Sequence, residues 1–264
     1  AVNVTKIEAL SGGAVWLLTE TEGAIRIDTN SEDYSLTSQW YSAQSGQFSA
    51  TRVFGVYEDL LGNEWILSDN GLGMLTAGQT TPTSYFVDAA EREKKGGQAF
   101  YSCLEYNSEI YFGSDNGRVW CYQKENGQFQ LQNLPASSRI VSINSVEGNE
   151  LIFTTAKDGF FSYQPKTKAI EHFPASRFPN ASIHSVYVDK ASEVWFEQHI
   201  PGTVVHFNPR TRILKQEKVP VEPTSTDRSR PAFHIHEDIN GVLWVHPYGG
   251  GFSYFDRKSN SLHL

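Results

Sequence analysis

Near the carboxyl end, "HEDINGVLWVHPYGGGFSYF" (residues 236–255) sets His236, Glu237 and Asp238 side by side and follows them with Gly249, Gly250 and Gly251. Two adjacent carboxylates can act as general acid and general base when their surroundings tune them apart. His234, His236 and His246 add metal-binding chemistry, because alternate residues of a strand share a face and His246 would lie on the neighbouring strand. Two observations weigh against both readings. An acidic pair recurs as Glu58–Asp59 in a matching context, and a catalytic pair is needed once, whereas a turn-capping pair is needed at every turn. No fourth metal ligand of matching spacing accompanies the histidines, whose counterparts elsewhere are Gly55, Tyr57 and Ser185. The expectation is therefore turn caps, packed or solvated histidines, no metal and no cofactor.

The elements that carry these residues belong to a repeat. Aligned on Trp244, equivalent anchors stand at Trp16, Trp65, Tyr111, Ile152 and Trp195, a period of roughly 40 to 50 residues. Apolar residues precede them at Val4 and Ile7, Val53 and Val56, Ile140 and Ile143, Ile183 and Val186, and Ala232 and Ile235, while the third copy offers Ala99 and Ser102. A glycine follows each anchor: Gly23, Gly71, Gly117, Gly159, Gly202 and Gly250 or Gly251. Each copy reads as four strands, the first ending in a turn cluster and the second carrying the anchor. A loop such as "SDNG" (68–71) opens the third, and a turn such as "PRTR" leads to the fourth.

Tandem four-stranded antiparallel units of this length are the material of a β-propeller. The sequence predicts an all-β chain, a single domain over residues 1–264. It holds about six blades, near 1–40, 48–88, 95–132, 137–173, 180–218 and 229–264, forming either a six-bladed ring or most of a seven-bladed one. The anchor aromatics would fill the spaces between blades. The longest polar stretches, 76–98 and 216–231, read as linkers.

Composition narrows the partners. The formal net charge is -8, and Lys and Arg form no extended run, which excludes nucleic acid as a main partner. Cys103 and Cys121 are too few for a disulfide framework; they fall on the first and third strands of one blade and read as small apolar residues. No stretch of 18 apolar residues or leader pattern occurs, so membrane contact would run only through segments outside these residues.

The pattern in "VFGVYEDLLGNEW" (53–65) and "AFHIHEDINGVLW" (232–244), followed by a glycine-opened strand, resembles the two-component regulator propeller repeat found in periplasmic sensor regions of hybrid two-component systems from Bacteroides-like bacteria. Copies three and four depart from it at Tyr111 and Ile152. The resemblance implies a periplasmic, non-catalytic sensor that recognises a glycan-derived oligosaccharide. Its implied partners are that oligosaccharide or another small ligand, further sensor domains of the same polypeptide, and a second copy in a homodimer. Any kinase would lie outside this chain. Family sensor regions usually hold two seven-bladed propellers and a β-sandwich, more than this chain contains.

In such a topology, the loops between blades and those between second and third strands emerge on one face around the axis. Arg52, Arg139, Arg177 and Arg230 approach it from the former. Asp69, Asn70, Asp115, Asn116, His199 and Tyr248 approach from the latter, and together they suit sugar hydroxyls and ring faces. The rival readings are a propeller-fold glycoside hydrolase or lyase and a protein–protein interaction scaffold. The "D-x-x-G-x-x-W" spacing is superficially like the Asp-box of sialidases, but no one-off acid, base and nucleophile cluster breaks the symmetry of the repeat.

Overall fold

The computed structural model describes residues 2–29, 38–87, 99–179, 182–198, 203–219, 233–247 and 251–264. His199, Arg230 and Tyr248, with the triple glycine's Gly249 and Gly250, lie outside the described residues. The described chain forms six four-stranded sheets, each antiparallel with its strands in chain order, numbered 1 to 6 from the first strands Val4–Ala9, Val53–Glu58, Phe100–Tyr106, Ile140–Val146, Ile183–Val188 and Phe233–Glu237. They group into two compact units, Ala1–Gln132 and Asn133–Leu264. The all-β repeat is thus present in six copies, and the only helical element described is one 3-10 turn, Ala175–Arg177.

Strand limits follow the sequence pattern closely. In sheet 2 the strands are Val53–Glu58, Glu64–Ser68, Gly71–Leu75 and Thr83–Tyr85, so part of the polar stretch read as a linker is a short edge strand. In sheet 5 they are Ile183–Val188, Val194–Gln198, Thr203–Asn208 and Ile213–Lys218. In sheet 4 the second and third strands are buried almost throughout while the fourth is largely exposed, as expected when the middle of the sheet is covered on both faces.

The Ala99/Ser102 exception in sheet 3 has a simple cause. Its first hairpin turns on Asn107 and Ser108, both with positive φ, and is one residue shorter than the Asp59–Asn63 turn of sheet 2. Cys103 therefore pairs with Phe112 as Val56 pairs with Ile66, and the true equivalents are Phe100 and Cys103. A second regularity was not visible in the sequence. In sheets 1 to 5 the register shifts early in the first strand, leaving Thr5, Phe54, Tyr101, Val141 and His184 as bulge residues.

The repeated glycine is required where third and fourth strands meet. Gly159 has φ +86°, and a Cβ there would sit 2.1 Å from the Phe173 carbonyl oxygen; Gly23 and Gly71 meet Tyr41 and Tyr85 in the same way at 2.2 and 2.3 Å. Gly159→Ala is expected to destabilise the fold by about 2 kcal/mol or more, combining left-handed strain with a backbone clash, to be read as a lowered urea midpoint at unchanged slope.

Within each unit, apolar residues of adjacent sheets form shared cores. Trp16 and Leu18 pack with Val53, Val56 and Ile66, and Trp65 and Leu67 with Phe100, Ile110 and Phe112. In the second unit Ile152 and Phe160 pack with Phe196 and Phe207, and Trp195 with Ile235, Val245 and Phe255. Val4 and Ile7 in sheet 1, which no sheet of its own unit precedes, are exposed instead, Ile7 by 64%.

Candidate functional site

The acidic pairs are structural, and the two carboxylates of a pair serve different sheets. Asp59 accepts from the backbone N–H groups of Leu61 and Asn63 at 2.9 Å and from the Trp65 indole at 3.1 Å. Asp189 does the same for Ala191, Glu193 and Trp195, all at 2.9 Å, and Asp238 for Asn240, Val242 and Trp244. Each aspartate closes its own turn and orients its own anchor. The glutamate instead reaches the preceding sheet. Glu58 accepts from Ser11 N–H at 2.6 Å, and Glu237 from Lys190 N–H at 2.7 Å. In sheet 3 the equivalent Glu105 accepts from Leu60 N–H at 2.8 Å.

A cation neutralises the gathered carboxylates where both are present. Lys124 lies 2.5 Å from Glu105 and 3.7 Å from Asp59, while Arg257 lies 3.0 Å from Asp189 and 3.3 Å from Glu237. Sheet 1 has Leu10 where the aspartate would stand, and sheet 2 correspondingly has Ala77 at the cation position. Trp16 donates to Glu64 of sheet 2 instead, at 2.7 Å, and Arg26 pairs with the same carboxylate. Each of these carboxylates is held by turn N–H groups, an indole or a cation, so the recurrence of the acidic pairs has a structural cause.

The hydrogen bonds tune the acids. For Asp59, burial alone would raise the pKa, but donation from Asn63, Trp65 and Leu61 outweighs it and holds the carboxyl below 3.8. Asp238 is lowered chiefly by the Trp244 indole. Groups whose folded pKa is depressed add stability above their unfolded value, near 4, and lose it as pH falls through the folded value. Melting temperature is therefore expected to drop as pH is lowered below about 4, with a shallower acid limb in Asp59→Asn.

At the opposite end of the first strands lie the loop residues singled out above. In sheets 2, 3 and 4 the loop after the second strand is tied to the residue before the first: Asp69 N–H donates to Arg52 O, Asp115 N–H to Ala99 O and Ala156 N–H to Arg139 O, at 2.8–3.0 Å. This brings Arg52 beside Asp69 and Asn70 in sheet 2. The carboxylate of Asp69 is committed to Thr51 and to the Arg52 N–H, as Asp158 is to Ser137 and Ser138 in sheet 4. Asn70 donates to Ser49 O, and Asn116 accepts from Ser114. These side chains build the rim.

The arginines differ. The Arg52 guanidinium lies 5.3 Å from the Phe54 ring centroid, and Phe54 stacks on Tyr101 of the next sheet at 4.2 Å. Arg177, in the 3-10 turn, lies over Phe173 at 5.1 Å. Phe54 and Tyr101 were missed by reasoning from sequence because their positions depend on the bulge. The available signal was that the copies vary at this position, with Phe54, Tyr101 and Phe233 against Thr5, Val141 and His184.

His234 and His246 are cross-strand partners, and with His236, Asp238, Trp244 and Phe252 they line an open, apolar hollow of about 500 Å³. His246 stacks on Phe252 and His234 lies 3.7 Å from Glu197. Among the described residues no group of three His, Cys, Asp or Glu side chains is placed to hold a metal ion. Cys103 and Cys121 are free thiols, separated by the second strand of sheet 3, and burial pushes the Cys103 thiol up, away from thiolate chemistry.

No family model matches the sequence, and no curated protein matches it. Solved structures do. The extracellular domain of the hybrid two-component system BT4673 of B. thetaiotaomicron aligns with the whole chain at TM-score 0.64 and 18% identity. That of BT3049 from the same organism aligns with 97% of it at TM-score 0.56 and 16% identity. The fold is a β-propeller type. Virginiamycin B lyase from Staphylococcus aureus shares it, covering 99% of the chain at TM-score 0.68 and 18% identity. The propeller chain spans about a third of the two sensor domains, 33% and 38%, and 86% of the lyase. Each sheet is thus one blade, and an Asp–Trp turn with an incoming glutamate joins blade 2 to blade 3 and blade 5 to blade 6.

Proposed function

We propose that this propeller is a ligand-binding part of an extracytoplasmic two-component sensor, that it binds without catalysis, and that its ligand is a glycan-derived oligosaccharide. One observation carries the reading: the Arg52–Phe54–Tyr101 stack at the rim of blades 2 and 3. Positions that hold the blades together repeat their residue types, whereas the bulge positions do not, and there the chain places two aromatic rings and a cation beside polar loops. Ring faces take the C–H face of a sugar and the arginine its hydroxyls. The likeness to sensor domains supports the signalling context, and binding would act by favouring one arrangement of the receptor. Among the described residues no helix is long and apolar enough to cross a membrane, so a signal would leave through other segments of a receptor.

The test is calorimetric titration with oligosaccharides released from complex glycans. Tyr101→Ala and Phe54→Ala are expected to weaken binding at least ~tenfold, about 1.4 kcal/mol, while His172→Ala on an exposed fourth strand leaves it unchanged. Binding that survives both aromatic substitutions would remove this site. A lyase reading draws on the 86% coverage of virginiamycin B lyase and would use His234, His236 and His246; product formation lost on substituting them would favour it.

A further inference from the structure

Just before the first strand, blades 2 and 3 use the backbone alone to hold the rim. The carbonyl oxygen of Arg52 accepts the Asp69 N–H at 3.0 Å, and that of Ala99 accepts the Asp115 N–H at the same distance with only a methyl group as its side chain. Across the six copies the residues at this place are Asn3, Arg52, Ala99, Arg139, Ser182 and Ala232. Neither charge nor length is therefore a requirement of the fold here. The Arg52 side chain is exposed, and what it adds to the rim is available to a ligand.

The charge around it has a definite pattern. In the same unit Lys6 pairs with Glu8, Arg26 with Glu64 and Lys124 with Glu105, whereas the Arg52 guanidinium meets no carboxylate among the described residues. The acid of the adjoining loop, Asp69, turns both oxygens to the chain: Oδ1 accepts the N–H groups of Thr51 and Arg52, and Oδ2 accepts the Thr51 hydroxyl. Glu58 and Glu105 stand near the far ends of their strands, bonded to Ser11 and Leu60. The Arg52 guanidinium instead lies 5.3 Å from the Phe54 ring, which stacks on Tyr101 at 4.2 Å. Cation and ring faces thus form one run across blades 2 and 3.

We infer that the oligosaccharide held here is acidic, with a carboxylate or sulfate group seated on Arg52 beside a sugar ring stacked on Tyr101. This rests on the sugar reading above and adds to it the charge of the ligand. A guanidinium presents N–H donors in a plane that matches two oxygens of such a group, and charge-assisted bonds are roughly twice as strong as those to neutral hydroxyls. The Phe54 ring backs the guanidinium, which restricts its orientation and leaves its N–H edge for the ligand. The chain as a whole carries a formal net charge of -8, so its overall field does not attract an acidic ligand. Discrimination between acidic and neutral sugars falls to this one side chain.

The test is calorimetric titration of the intact chain with two sets of acidic oligosaccharides. One comes from a polygalacturonan and carries carboxylates only; the other comes from a carrageenan and carries sulfates only. Each is run beside its discharged counterpart, methyl-esterified or desulfated. At least one acidic set is expected to bind about tenfold or more tighter than its counterpart, and the set that does so identifies the group. Arg52→Gln is expected to abolish that difference and Arg52→Lys to keep part of it, both at an unchanged melting temperature, because the side chain is exposed and the backbone bond to Asp69 stays. Equal binding of acidic and discharged sets, lost in Tyr101→Ala, would overturn the acid assignment and leave the sugar reading standing. An acid preference that survives Arg52→Gln would overturn the role of Arg52. No binding of either acidic set would overturn the inference too, whereas only failure of the neutral oligosaccharides as well counts against the sugar reading.

Discussion

Trp65→Ala is expected to lower the stability of the propeller by about 3–5 kcal/mol, the range for deleting a fully buried tryptophan. Trp65 has no exposed surface, and its ring meets Phe112 at 4.9 Å, Tyr122 at 4.8 Å, Tyr85 at 6.0 Å and Phe129 at 6.4 Å. Three of these four rings belong to the next blade, so the cavity opens across the contact between blades 2 and 3. The lost indole also leaves Asp59 without one of its donors, adding a polar cost to the apolar one. Trp244→Ala deletes the same side chain from a half-exposed face and is expected to cost about half as much or less. Urea unfolding of the two variants checks the ordering, and a Trp244 variant as damaging as the Trp65 variant would contradict the assignment of a core role to one and an uncovered face to the other.

Asp189→Ala is expected to cost a similar 3–5 kcal/mol by a different route. The carboxylate is 4% exposed as a residue and holds four donors: two turn N–H groups, the Trp195 indole and Arg257. Removing it leaves a cation and three N–H groups without that acceptor. Blade 1 shows the alternative the fold accepts, because Leu10 occupies the aspartate position there and Ala77 of blade 2 the cation position. Asp189→Leu combined with Arg257→Ala is therefore expected to be less damaging than the sum of the two single changes, by ~1 kcal/mol or more in a double-mutant cycle. Additive effects would show that the pair does not act as one unit.

Most of the architecture was legible because structural demands recur six times. The anchor at Trp65, the glycine opening the third strand and the turn aspartate at Asp59, Asp189 and Asp238 each answer a local requirement, and a requirement met in several blades leaves a periodic trace. The assignment of Glu58–Asp59 and Glu237–Asp238 to turns follows from that recurrence, although the division of labour between the two carboxylates does not. Only geometry shows that Asp59 serves its own blade while Glu58 reaches Ser11 of the one before. Spacing also hides the correct equivalents in blade 3, where a turn one residue shorter shifts Ser102 out of register and Cys103 into it.

The site was less legible for the same physical reason. Ligand contacts need not repeat, so Phe54 and Tyr101 carry no periodic signal, and a bulge that pairing alone reveals fixes which way they project. Polar type has a second use. Asp69, Asn70 and Asn116 suit sugar hydroxyls by chemistry, but their side chains are bonded to Thr51, Ser49 and Ser114, and a group committed to its own loop contributes to recognition by shaping the rim. Arg52 belongs to the proposed site because its guanidinium lies against Phe54, where charge and ring face are presented together.

The claim that unites fold and function is that this propeller binds an oligosaccharide and leaves it chemically unchanged. Saturation-transfer NMR on a mixture of glycan-derived oligosaccharides with the intact chain tests both halves at once. The expected spectrum shows saturation passing to the protons of at least one sugar, loss of that transfer in Tyr101→Ala, and no new resonances over hours of incubation. Absence of transfer to any sugar, or new anomeric or unsaturated signals that grow with time, would contradict it.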